Sequence, residues 1–307
     1  MRVQAAPSTA REEMPAFFTA GDDRLFGILT LPTSEATGTW VVLVPGGSGS
    51  LDSMNRNRLW VRLARLLGSM GCHTFRFDFH GAGESTGRAE LRGLRRPFTK
   101  DLEGAVEWVR GRGAEELVIV GSCFGARTAL AGAPQVPRVR GVVLVAPYVG
   151  DRTHAERVAT RMASDWSVRR YLARAVRLHT IKGLMNPKRR RVYRAVLRAR
   201  LRAIGRRRDD PRVEDRASEL FLDPLERLVD LRVPVLFLFG DAEDETTVEF
   251  EQAKEGRLGG ILRRAGDLIE VRILPGKVHG LRTLQTQDGV VDEVSAWLRR
   301  RGLARTG

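Results

Sequence analysis

The run Val118-Ile119-Val120-Gly121-Ser122-Cys123-Phe124-Gly125-Ala126-Arg127 constrains this chain more than any other stretch. A β-branched segment passes through Gly-x-Cys-x-Gly directly into residues of helical character, which predicts a strand, a tight turn and a helix. Such a turn holds its central residue in a strained conformation and projects that side chain above the sheet. The positions two before and two after the tip must be small, because strand and helix nearly touch there. Gly121 and Gly125 meet that demand and select Cys123 as the tip. Ser122 is excluded, since its corresponding flanks are Val120 and Phe124. The side chain so presented is a thiol, and the helix dipole behind it is expected to lower its pKa.

Apolar runs recur around this turn. Phe17-Phe18-Thr19 and Leu25 to Leu31 read as an opening pair of strands, and Trp40 to Val44 as a buried strand ending in Pro45-Gly46-Gly47-Ser48-Gly49-Ser50. Cys72 to Phe79, Val139 to Tyr148, Pro234 to Gly240 and Leu268 to Leu274 complete eight strands with Leu117 to Val120. Helical periodicity covers Leu59 to Ser69, Phe98 to Arg112 and Val290 to Arg301. Strands alternating with helices predict an α/β architecture, a mostly parallel eight-stranded sheet flanked by helices.

Charge divides the chain. The net charge is +15, and the stretch from Asp151 to Ser218 alone carries 21 Lys and Arg against 7 Asp and Glu. Within it, Val192, Val196, Leu197, Leu201 and Ile204 form an apolar stripe, broken from neighbouring helical pattern at Gly183, Asn186-Pro187 and Gly205. The expected organisation is a first core part over 1–150, a basic helical lid over 151–222, inserted after the sixth strand, and a second core part over 223–307. The N-terminus lacks the apolar stretch of a signal peptide, no apolar run approaches membrane-spanning length, and the two cysteines do not suggest a disulfide framework. A cytoplasmic protein is expected.

A nucleophilic cysteine needs a base, and the base needs an orienting acid. Of five histidines, His73 lies in a strand, His154 and His179 in the basic segment, and His80 at a strand end. His279 follows the last strand in Pro275-Gly276-Lys277-Val278-His279-Gly280 and is the favoured base. The acid belongs to the preceding loop, where Asp241, Glu243, Asp244 and Glu245 crowd five positions. Asp244 is preferred and Glu243 is second, while Asp241 is expected to close the turn. Donors for an oxyanion should be the N–H of Phe124 and that of Gly47 or Ser48. No metal or cofactor is called for.

With these residues in place, the chain resembles the α/β-hydrolase superfamily over nearly its whole length. The resemblance rests on the elbow, on Arg76-Phe77-Asp78-Phe79-His80-Gly81-Ala82-Gly83-Glu84-Ser85, and on the acidic and histidine loops. Gly-x-Cys-x-Gly elbows occur in dienelactone hydrolases and polyhydroxyalkanoate synthases. A Gly-Ser before the first helix and Asp244-Glu245-Thr246-Thr247-Val248-Glu249-Phe250 resemble hydrolases associated with exosortase systems. That resemblance favours Asp244 as the acid, whereas Phe124 stands where those proteins often carry an acidic residue. It implies a thioesterase-like or esterase-like acyl hydrolase working through an acyl-cysteine on carrier-bound or lipid-like acyl groups. A thioester intermediate also suits transfer to an alcohol or amine, as in an acyltransferase or cyclase. The basic lid admits an acidic acyl carrier protein, coenzyme A or an anionic membrane surface as partner. Nucleic acid fits poorly, because aromatic residues are sparse there. A different class of reading is a non-catalytic protein whose cationic lid holds an anionic partner.

Overall fold

The computed structural model describes residues 13–46, 53–88, 93–151 and 217–305. The predicted lid helices and the histidines at 154 and 179 lie outside the described residues, as do Gly47 and Ser48. Eight strands form one sheet: β1 (Glu13–Ala20), β2 (Asp23–Thr30), β3 (Thr39–Val44), β4 (His73–Phe77), β5 (Glu116–Ser122), β6 (Val139–Val145), β7 (Val235–Phe239) and β8 (Ile269–Ile273). Their order across the sheet is β1-β2-β4-β3-β5-β6-β7-β8. The first two strands pair antiparallel, and β4 to β8 run parallel with β3. The mostly parallel sheet expected from the apolar runs is present.

The central strands are apolar on both faces because helices cover both faces. Alternation then sorts each strand between two cores. Val42, Val44, Ile119, Val142, Leu144 and Phe237 face one, while Val41, Leu43, Val118, Val120, Val143 and Leu236 face the other. The second face is closed by α1 (Leu59–Ser69) and by α7 (Leu284–Arg300), which contributes Val290, Val294, Trp297 and Leu298. On the first face lie α2 (Thr99–Arg110), α3 (Phe124–Gly132) and α4 (Glu219–Asp230). Two further helices, α5 (Glu245–Ala253) and α6 (Arg257–Ala265), connect β7 to β8. None of the described helices is long and apolar enough to cross a membrane.

The core unit comprises residues 1–151 and 217–307. The expected boundary at 222 is therefore displaced: Phe221 and Leu222 are buried in the same core as β6 and β7, and Ser218 caps α4 by accepting the Leu220 N–H. The two stems of the intervening segment are stitched together, since the Ser218 N–H donates to the Val149 carbonyl at 3.0 Å. Arg127 of α3 reinforces this join from within. Its buried guanidinium donates to the carbonyls of Tyr148, Val149 and Leu94, and also reaches the Asp151 carboxylate at 3.1 Å and Ser218 Oγ at 3.5 Å. Glu249 adds a further tie by accepting the Gly150 N–H at 2.6 Å.

Candidate active site

Parallel strands place their following loops along one sheet edge, and ligand chemistry gathers at that edge in open α/β sheets. Here those loops carry Gly46, Asp78 to His80, Cys123, Tyr148, Asp244 and His279. Cys123 sits between β5 and α3 with φ 50° and ψ −115°, the left-handed strain the elbow predicts. Its N–H donates to the Val145 carbonyl at 2.9 Å, and its carbonyl accepts from Ala126 at 3.1 Å, which pins the turn from both sides. The glycine requirement is visible in atoms. A Cβ on Gly121 would lie 2.4 Å from the Gly125 carbonyl oxygen, and one on Gly125 would lie 2.1 Å from the Pro45 carbonyl oxygen.

Cys123 is 9% exposed as a residue, and burial pushes the thiol pKa up to about 11. A hydrogen bond from the Gly280 main chain works in the opposite direction, while the charge of Asp244 adds to the rise. The expectation that the helix dipole would lower this pKa is therefore corrected: loss of hydration outweighs it. The Phe124 N–H, expected to face an oxyanion, donates instead to the Gly46 carbonyl at 3.2 Å.

Asp244 is fully buried and serves main-chain groups. Its Oδ1 accepts the Thr246 N–H at 3.0 Å and the Thr246 hydroxyl at 2.7 Å, capping α5. Its Oδ2 accepts the His279 main-chain N–H at 2.7 Å. Gly240 makes this packing feasible, because a Cβ there would come within 2.5 Å of Asp244 Oδ2. The His279 imidazole has other partners: Nε2 lies 2.6 Å from Tyr148 Oη, and Nδ1 lies 3.8 Å from Glu245 Oε2. The structure thus brings Cys123, Asp244 and the His279 main chain together and turns the imidazole toward Tyr148. Glu243, the second choice for the acid, points outward at Lys277, 3.5 Å away. Asp241 closes the turn as expected, accepting the Glu243 N–H at 3.0 Å.

The remaining motif residues organise loops. Asp78 is buried and accepts the Ser53 N–H at 2.6 Å, while the Gly83 backbone crowds its carboxylate. Ser85 Oγ bridges the Asp78 carbonyl and the Phe26 N–H, each at 2.9 Å. His80 is bound by Asp101, whose Oδ2 lies 2.8 Å from both its Nδ1 and its main-chain nitrogen. His73 stacks on Trp40 at 4.3 Å. Among the described residues no group of three or more His, Cys, Asp and Glu could hold a metal ion.

Three residues here were given no role from the sequence alone. Tyr148 is a polar aromatic just past the apolar β6 run, and Glu245 is one of the four crowded carboxylates. Arg127 gave the clearest signal, as a charged side chain in an otherwise small and apolar helix.

Comparison with known proteins agrees with this architecture. A profile of the Alpha/beta hydrolase family matches residues 41–292. An esterase from Pyrococcus furiosus superposes with a TM-score of 0.60 at 18% identity, covering 94% of this chain and 91% of its own. A proline iminopeptidase from Mycobacterium smegmatis gives 0.57 at 16% identity, with 94% and 99% covered. A dienelactone hydrolase from Anabaena variabilis gives 0.56 at 14% identity, with 94% and 98% covered. At these identities the likeness concerns the fold. No curated protein matches the chain in sequence.

Proposed function

Because the chain belongs to the Alpha/beta hydrolase family, we propose that it is an acyl hydrolase in which Cys123 attacks an ester or thioester carbonyl. The observation that carries this reading is the left-handed Cys123 at the N-terminus of α3, between glycines whose replacement would collide with backbone. A residue is held in that strain where its side chain must be presented.

In the proposed cycle His279 Nε2 takes the thiol proton, and Sγ bonds to the carbonyl carbon as the carbonyl π pair moves to oxygen. Collapse breaks the bond to the leaving group, which leaves with the proton from His279. Water attacks the acyl-cysteine and gives a proton to His279, which passes it to Sγ as the Sγ–C bond breaks, releasing the carboxylic acid and restoring the thiol. Asp244 supports the loop of the base through its main chain, and the Phe124 N–H meets the oxyanion once the Gly46 carbonyl gives way. Gly47 or Ser48 supplies a second donor in this scheme. The thioester stage also suits an alcohol or amine acceptor in place of water. The 21 Lys and Arg between Asp151 and Ser218 support an anionic carrier, such as an acyl carrier protein or coenzyme A, as the source of the acyl group.

Intact mass measurement after exposure to an activated acyl thioester tests this. The expected result is one acyl adduct, mapped to Cys123 and slowed in His279→Ala. An unmodified Cys123 together with salt-sensitive retention of an anionic partner would favour a binding protein on a hydrolase scaffold.

A further inference from the structure

The proposed chemistry needs His279 Nε2 at the thiol, yet that nitrogen shares a 2.6 Å hydrogen bond with Tyr148 Oη. The two rings meet edge to face at 5.1 Å, so the phenol is seated against the imidazole and does not merely brush it. Cys123 Sγ is instead met by the Gly280 main chain. Tyr148 is itself fixed: it is 7% exposed, and its carbonyl accepts from Arg127 on α3, the helix that begins at Cys123. The main chain of Tyr148 is thus held by the same helix that presents the nucleophile.

We propose that Tyr148 is a positioning residue for His279, whose hydroxyl latches Nε2 away from Cys123 until an occupant of the site engages the phenol or displaces it. This rests on Cys123 as nucleophile and His279 as base. The latched thiol keeps its proton, since His279 Nε2 is engaged by the phenol and burial disfavours the thiolate. Among the described residues, the titratable groups facing His279 are Tyr148 from the β6 loop, Glu245 at Nδ1 from the start of α5, and Asp244 through the main-chain N–H. Lys277, on the same loop, is engaged with Glu243.

The test is the pH dependence of Cys123 alkylation by iodoacetamide in the full chain, read by peptide mapping, with buried Cys72 as an internal report on fold integrity. Tyr148→Phe keeps the ring and removes the latch. It is expected to speed alkylation near neutral pH by roughly three- to tenfold, the worth of one net hydrogen bond, and to move the midpoint to lower pH. In a His279→Ala background the same substitution should change nothing. An unchanged or slower rate in Tyr148→Phe would overturn the latch, as would an equal acceleration without His279. If His279→Ala leaves the profile of the otherwise unaltered chain unchanged, the base assignment itself fails. Slowing by His279→Ala without acceleration by Tyr148→Phe sinks the latch alone.

Discussion

The main-chain N–H of His279 donates to Asp244 Oδ2 at 2.7 Å, while the imidazole of the same residue turns its Nδ1 toward Glu245 Oε2, 3.8 Å away. One loop therefore answers to two adjacent carboxylates, the buried one through backbone and the half-exposed one through the ring.

Asp244 and Glu245 should separate in stability measurements. Asp244→Ala removes a helix cap and leaves the partly buried main-chain N–H of His279 without its acceptor, a loss of about 2–3 kcal/mol. Glu245→Gln should cost less than about 0.5 kcal/mol, as expected of a partly exposed side chain. Urea denaturation midpoints at constant m-value check both.

The elbow glycines should tolerate no methyl. Gly125→Ala places a Cβ against the Pro45 carbonyl, and Gly121→Ala places one against the Gly125 carbonyl. Because the obstacles are backbone atoms, each should destabilise by at least about 1–3 kcal/mol. Gly260→Ala is the contrast: nothing lies within 4 Å of its Cβ, and α6 should gain about 0.5–1 kcal/mol from the better helix former. Thermal melting of the three variants tests the ordering.

Alkali should weaken the fold through its thiols. Burial raises Cys72 and Cys123 alike from 9.0 to about 11. The unfolded chain releases these protons near pH 9, whereas the folded chain holds them to about 11. Their contribution is full below pH 9 and falls away through that window, by at most about 2.7 kcal/mol per thiol. Cys72→Ala should flatten the decline in urea midpoint between pH 8.5 and 11 relative to the unaltered chain.

Replacing Arg127 should be costly. Arg127→Met strips a buried guanidinium from three carbonyls and the Asp151 carboxylate, a loss of about 3–5 kcal/mol. Hydrogen exchange should quicken first at the Ser218 and Gly150 amides, whose acceptors this cluster holds in place.

The elbow was legible in the sequence because its steric demands are written in residue identity: only Gly121 and Gly125 bracket a tip. The core strands were legible for a similar reason, since β3, β5, β6 and β7 carry apolar residues on both faces and announce their burial, and β4 shows the alternating Phe75 and Phe77. Helices α4, α5 and α6 were not. Pro224 lies inside α4, Gly259 and Gly260 dilute α6, and the apolar stripes of all three make sense only once their facing surfaces exist. Loop geometry was harder still. Asp244 could be named from its position, but its service to the His279 main chain could not. The partner of the His279 ring lies 131 residues away, and no local pattern encodes that side-chain torsion.

The hydrogen bond between Ser218 and Val149 has an engineering consequence. The core lets the chain out and takes it back through one doorway, whose two jambs are bonded to each other and to α3. A doorway of that kind is indifferent to the length of what is threaded through it, since extending a loop adds little to its closure cost. Exchange of residues 152–216 for a short turn is expected to leave the sheet whole, with a single cooperative thermal transition as the check.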